Sequence, residues 1–173
     1  VGTEALASVG GSSAQIIALI VGFFTGLSSG ASVVIAQFFG AQDERSVRQS
    51  LHTAYAFSIM GSIIISILGI ALAPSMLSWM RTPAEIMADS ILYLRIYFAG
   101  ILFVFIYNMG SSILRAVGDS RHPLYYLIIC CFLNIVLDVA FVVIFRMGVL
   151  GVALATLLSQ AFSAVLVTHK LMK

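Results

Sequence analysis

Charge is what this chain has least of. Only 9% of its 173 residues are Asp, Glu, Lys or Arg, 61% are hydrophobic, and the mean hydropathy is +1.09. Soluble domains carry about a quarter charged residues, so a water-exposed globule of this composition could not cover itself. Cysteine is almost as scarce. Cys130 and Cys131 are chain neighbours inside an apolar run, which argues against a structural disulfide. No His or further Cys lies close enough in sequence to suggest a metal site, so both read as packing residues. His52, His122 and His169 fall near segment ends without metal-ligand spacing. No basic stretch precedes the first apolar run, so nothing resembles a signal peptide. A start at Val1 reads as that of an incomplete sequence.

Long uncharged runs are what the chain has in their place. Residues 5–42, 49–80, 96–114 and 147–169 contain no Asp, Glu, Lys or Arg, and residues 123–145 contain only Asp138 of these. Each reaches the ~19 residues a helix needs to cross a bilayer. A membrane β-barrel needs short alternating segments, and runs such as 16–21, Ile-Ile-Ala-Leu-Ile-Val, do not alternate. The expected fold is an all-α integral membrane protein, a single transmembrane domain over 1–173. About five spanning helices are predicted, over 11–41, 47–80, 85–116, 123–146 and 149–171. Polar or Pro-bearing connectors at 40–45, 81–85 and 118–123 punctuate them, and 146–148 makes a tight link.

Basic residues assign the sides. Alternation puts Arg45, Arg48, Arg115, Arg121, Lys170 and Lys173 at one face, with Arg81 and Arg146 at the other and Arg95 near it. By the positive-inside rule the first group is cytoplasmic, so the chain starts outside and ends inside a plasma membrane. One further helix before Val1 would restore an even number of spans. The basic residues mark segment ends, and the net charge of +2 implies no nucleic-acid partner.

Asp138 is the one acid within these long apolar runs. A carboxylate facing lipid is costly, so this one must face protein, water or a cation. Asn134, one turn earlier, shares its helical face. Together they suit a hard cation or a proton relay, within about two turns of the outer helix end. A structural, hydrogen-bonding acid is the competing reading. Thr156 and Gln160 share a face of the last helix, and Thr156 lies at a depth similar to that of Asp138. Gln15, Gln37 and Asn108 are the remaining polar residues within spans, and interhelical hydrogen bonding competes with a cavity role for each. Arg95 lies between Tyr93 and Tyr97, where snorkelling to the interface competes with a gating ion pair. Gly26 and Gly30 form a G-x-x-x-G pair, read as a site of close helix packing. Phe98, Phe103, Phe105, Tyr107 and Met109 read as packing or lipid-facing residues ahead of a drug-cavity lining.

Four stretches resemble the multidrug and toxic compound extrusion (MATE) family of the flippase superfamily. They are 5–10, Ala-Leu-Ala-Ser-Val-Gly; 34–41, Val-Ile-Ala-Gln-Phe-Phe-Gly-Ala; 114–123, Leu-Arg-Ala-Val-Gly-Asp-Ser-Arg-His-Pro; and 134–138, Asn-Ile-Val-Leu-Asp. The resemblance implies helices two to six of the amino-terminal six-helix lobe of a twelve-helix transporter. It implies export of organic, cationic compounds in exchange for Na⁺ or H⁺ by alternating access. On that likeness Asp138, Asn134 and Thr156 would serve cation coupling, while Gln37, Asn108, Gln160 and Arg95 are cavity or gating candidates. A further acid of the family's first helix has no counterpart here. The implied partners are the lipid bilayer, a small organic substrate and the remaining helices of the same transporter. No cofactor is implied beyond Na⁺ or H⁺ as coupling ion.

Two other transport readings stay open: a lipid-linked precursor flippase or polysaccharide exporter of the same superfamily, and a passive channel. A flippase cavity would be expected to hold cations for phosphate, and only Arg95 offers one. An intramembrane enzyme would call for clustered acids, a His-Glu-x-x-His helix or a partnered Ser, and the sequence has none of these.

Overall fold

A computed structural model describes residues 3–172, so Lys173, expected among the basic group, lies outside the described residues. The chain folds as α1 (Thr3–Gly10), α2 (Ser12–Gly40), α3 (Glu44–Trp79), α4 (Ala84–Ala116), α5 (Arg121–Asp138), a π-helix (Val139–Ile144) and α6 (Gly148–Leu171). These make five apolar spans, α1 and α2 forming one and α5 with its π-helix another. Alternation brings residues 40–48, 113–119 and 170–172 to one end, here the basic end, where they line a common cavity. The opposite end is the far end.

The first span starts earlier than the sequence reading placed it, at Thr3, and breaks at Gly11. A Cβ there would lie 2.6 Å from the Ala7 carbonyl oxygen, so the break requires glycine. Each turn has a physical stop signal. Asp43 caps α3 by accepting from the Ser46 backbone N–H at 3.1 Å and from its hydroxyl at 2.6 Å. At the start of α5, Asp119 accepts from the His122 backbone N–H at 3.2 Å and pairs with the His122 ring at 2.6 Å. That hydrogen bond holds the Asp119 carboxyl below its ordinary range.

Three helices close with a bond from the third residue past the end to the last turn. Asp43 donates to Phe38 at 3.1 Å, Thr82 to Leu77 at 3.1 Å and Asp119 to Leu114 at 2.8 Å. The left-handed residue these closures need is Gly118 in one case but Gln42 (φ 58°) and Arg81 (φ 53°) in the others. A side chain there costs roughly 1 kcal/mol. Gln42→Gly is therefore expected to raise the unfolding midpoint of the detergent-solubilised protein. An unchanged or lower midpoint would contradict the strain argument.

α4 is the centre of the bundle. It packs against α1, α2, α3 and α6, whereas α5 leans mainly on α6. Accordingly 44% of the most apolar stretch of α4 is buried, against 6% for α5. Lipid is as apolar as leucine, so helices associate here by close van der Waals fit rather than by escape from water. Small residues supply that fit: Ser58 and Ser62 on α3, Ser111 and Ser112 on α4, and Ser159 and Ser163 on α6 are all buried. Large side chains fill the rest, with Phe24 stacked on Phe105 beside Leu77, Leu94, Phe98 and Ile101. A second cluster joins Ile35, Ala54, Met109 and Ile113 nearer the basic end.

The Gly26–Gly30 pair does not serve this packing. No atom lies within 4 Å of a Cβ placed on either residue. The buried stripe of α2 runs through Ser13, Ile16, Phe24, Ser28 and Ile35, and two residues along a helix turn by about 200°. The glycines thus line an open groove of about 740 Å³ with Gln49, Thr53 and Phe57 of α3.

Candidate functional site

Asp138 is the last α-helical residue of α5, at the junction with the π-helix. Asn134 stands one turn before it, and both side chains are half-buried. Asn134 Nδ2 and Asp138 Oδ1 are shielded from solvent and have no hydrogen-bond partner among the described residues. A buried polar atom left unpaired costs about 1–3 kcal/mol, and more when charged. The fold therefore holds an acid and an amide in place without satisfying them.

α4 and α6 complete the cluster. Tyr93, buried at 7% exposure, lies near Thr156 of α6 and Asp138 of α5. The Thr156 hydroxyl donates to the Val152 carbonyl at 3.0 Å, which leaves its lone pairs free to accept. Tyr97, Thr156 and Gln160 enclose a small gap of about 10 Å³, room for roughly one water. One carboxylate, one amide and two hydroxyls thus lie toward the far end, on three helices that pack together. This donor set suits a hard cation or a transferable proton.

The other sequence candidates stand apart. Gln37 is exposed near the basic end of α2, and Gln15 is exposed on the same helix. Asn108 donates to the Val104 carbonyl of its own helix at 2.8 Å. It lies 15 residues from Tyr93, about 22 Å along the axis and so far from Asp138 in depth. Arg95 is exposed; two residues from Tyr93, it projects from the other side of α4 and makes no ion pair among the described residues.

Tyr93 is the residue that sequence reasoning missed, where it appeared only as a ring flanking Arg95. The available signal was depth. Tyr93 sits nine residues into α4 from the far end, about 14 Å, and Asp138 about 10 Å from the same end of its own span. Equal depth does not reveal which helices are neighbours.

The family described as MatE matches residues 1–140. YpnP of Bacillus subtilis, described as a probable multidrug resistance protein, is 34% identical over 163 residues, 94% of this chain and 36% of that protein. NorM of Thermotoga maritima, with the same description, is 31% identical over 152 residues, 84% of this chain and 32% of that protein. The solved inward-facing structure of a multidrug resistance MATE family transporter of the MOP superfamily superposes with a TM-score of 0.93. Identity to it is 30%, over 98% of this chain and 38% of that one. The chain therefore spans about a third of the length of these relatives. With the matching family, the shared helices and the likeness to solved transporters in hand, this chain belongs to the MATE (MatE) family of membrane transporters.

Proposed function

We propose that this chain forms part of one lobe of a secondary transporter. The intact protein would export small organic, mainly cationic compounds in exchange for Na⁺ or H⁺. The observation that carries the reading is Asp138 itself: an acid within an apolar span, near Asn134, Tyr93 and Thr156, whose buried Oδ1 lacks a partner among the described residues. An intramembrane carboxylate is retained against a cost of about 3 kcal/mol, which favours a role in which its charge changes. Loading Asp138 with a proton or cation removes that charge and lets the lobe move through the membrane; unloading restores it. The names of relatives as multidrug resistance proteins support the class of cargo. The basic end, with Arg45, Arg48, Arg115, Arg121 and Lys170, would face the cytoplasm. A phosphate-bearing cargo is less well served, because Arg95 points away from the cluster.

The test is dye efflux from cells expressing the intact transporter that contains this chain, with the Na⁺ and proton gradients collapsed separately. Export should stop when one gradient is lost and survive loss of the other. Export indifferent to both would overturn antiport.

A further inference from the structure

The span that carries Asp138 does not finish as an α-helix. Immediately after Asp138 it widens into the π-helix Val139–Ile144. Its five-residue spacing is seen where the Phe145 N–H donates to the Ala140 carbonyl at 3.0 Å, and the Met147 N–H then reaches the Phe141 carbonyl at 2.9 Å. Such segments are rare and arise mostly as single turns at functional positions. The sequence here, Val-Ala-Phe-Val-Val-Ile, has no Pro or Gly that would force the change. The neighbouring helix makes room for it. A Cβ on Gly151 of α6 would fall 3.0 Å from the Phe141 Cβ and 3.2 Å from its carbonyl carbon, so the wide turn packs closely against bare backbone. On the other side the segment is open among the described residues: Val139, Val143, Ile144 and Phe145 are 52% to 71% exposed.

We infer that the Val139–Ile144 segment is a register switch, shifting between π and α spacing as Asp138 is emptied or loaded, and so moving the far end of its span. The inference rests on the reading of Asp138 as the cation carrier. Asp138 lies within two turns of a helix C-terminus, where unpaired carbonyls concentrate negative charge. The two registers place that negative end at different distances from the carboxylate, so its charge biases the choice between them. Tyr93 of α4 is the titratable group facing Asp138 among the described residues. α6 presents none between Gly148 and Thr168, and Arg146, beyond the π-helix, is exposed. Gly148 (φ 56°) and Arg146 (φ 55°) hold the link to α6 in left-handed turns, so a shift of one residue in the π-helix is passed to this loop.

The experiment uses the intact transporter in liposomes, with Cys130 and Cys131 replaced by Ser and Phe145→Cys as the reporter for a membrane-impermeant maleimide. Labelling rates, each divided by that of a free thiol at the same pH because the thiolate is the reacting form, are compared at high and low pH and with and without Na⁺. The switch predicts a change of about tenfold between conditions that load and empty Asp138. Asp138→Asn should freeze the rate near its loaded value. Deleting Val142, which shortens the segment toward α spacing, should abolish the change in a protein that still elutes as a single folded species. Constant labelling alongside gradient-dependent export overturns the switch and leaves antiport standing. Constant labelling with export indifferent to both gradients removes both readings. A change that persists after the Val142 deletion also overturns the switch.

Discussion

Replacing Asp138 by Asn in the intact transporter is expected to abolish coupled export while leaving the protein at least as stable as before. The two halves of that result have one cause. The carboxylate stands in a membrane span with Oδ1 shielded and without a partner among the described residues, a placement that costs about 3 kcal/mol when ionised. An amide of nearly the same shape removes most of that cost, so the thermal midpoint in detergent should stay level or rise. It also removes the only group in the cluster that can change its charge, since Asn134, Thr156 and Tyr93 stay neutral at physiological pH. Dye export should fall at least about a hundredfold, to that of cells lacking the transporter, as the loss of an obligatory charge-carrying step implies. Tyr93→Phe should be milder, because it takes one hydroxyl from the cluster and leaves the acid. Export that survives Asp138→Asn would return Asp138 to the role of a structural acid, and loss of both folding and export would support the same conclusion.

The second large effect concerns a glycine in the packed interior. Gly69 of α3 is buried against the Phe98 ring of α4, and a Cβ at Gly69 would overlap that ring. Phe98 is 1% exposed and packed in the main core cluster, so it cannot swing away. Gly69→Val should therefore destabilise the protein by roughly 1–3 kcal/mol, the usual cost of overfilling a packed interior. Thermal unfolding in detergent would show it as a clear drop in midpoint. Adding Phe98→Leu to Gly69→Val should recover part of the loss. Gly26→Ala is the control: with open space around it, its effect should stay within about 0.5 kcal/mol. Equal effects at Gly69 and Gly26 would mean that the α3–α4 contact is not the tight interface described.

The contrast between these glycines shows what could be read in advance. Gly26 and Gly30 match a spacing known for close helix approach, and that spacing drew the sequence argument to α2. Gly69 has no motif around it, yet it is the one pressed by a neighbour. Spacing tells which residues share a face, and nothing in it tells which face meets a partner. The polar residues divide in the same way. Asn134 and Asp138 lie one turn apart on a single helix, so their pairing needed only helical periodicity. Tyr93 joins them across 45 residues of chain, and its neighbouring Arg95 turns outward, because α4 rather than α5 or α6 occupies the middle of the bundle. The π-helix was equally invisible, since it packs against the bare backbone of Gly151 on another helix.

What the sequence determined by itself is the set of spans, their alternation and the singular status of Asp138. Each follows from the cost of placing charge or unpaired backbone in hydrocarbon, which acts residue by residue and needs no knowledge of neighbours. Tertiary structure alone decided which helix is central, which side chains close around the acid, which glycines are indispensable and where an α-helix gives way to a π-helix. Those outcomes depend on van der Waals fit between surfaces distant in sequence, and in a bilayer that fit, rather than hydrophobicity, selects one helix arrangement over another.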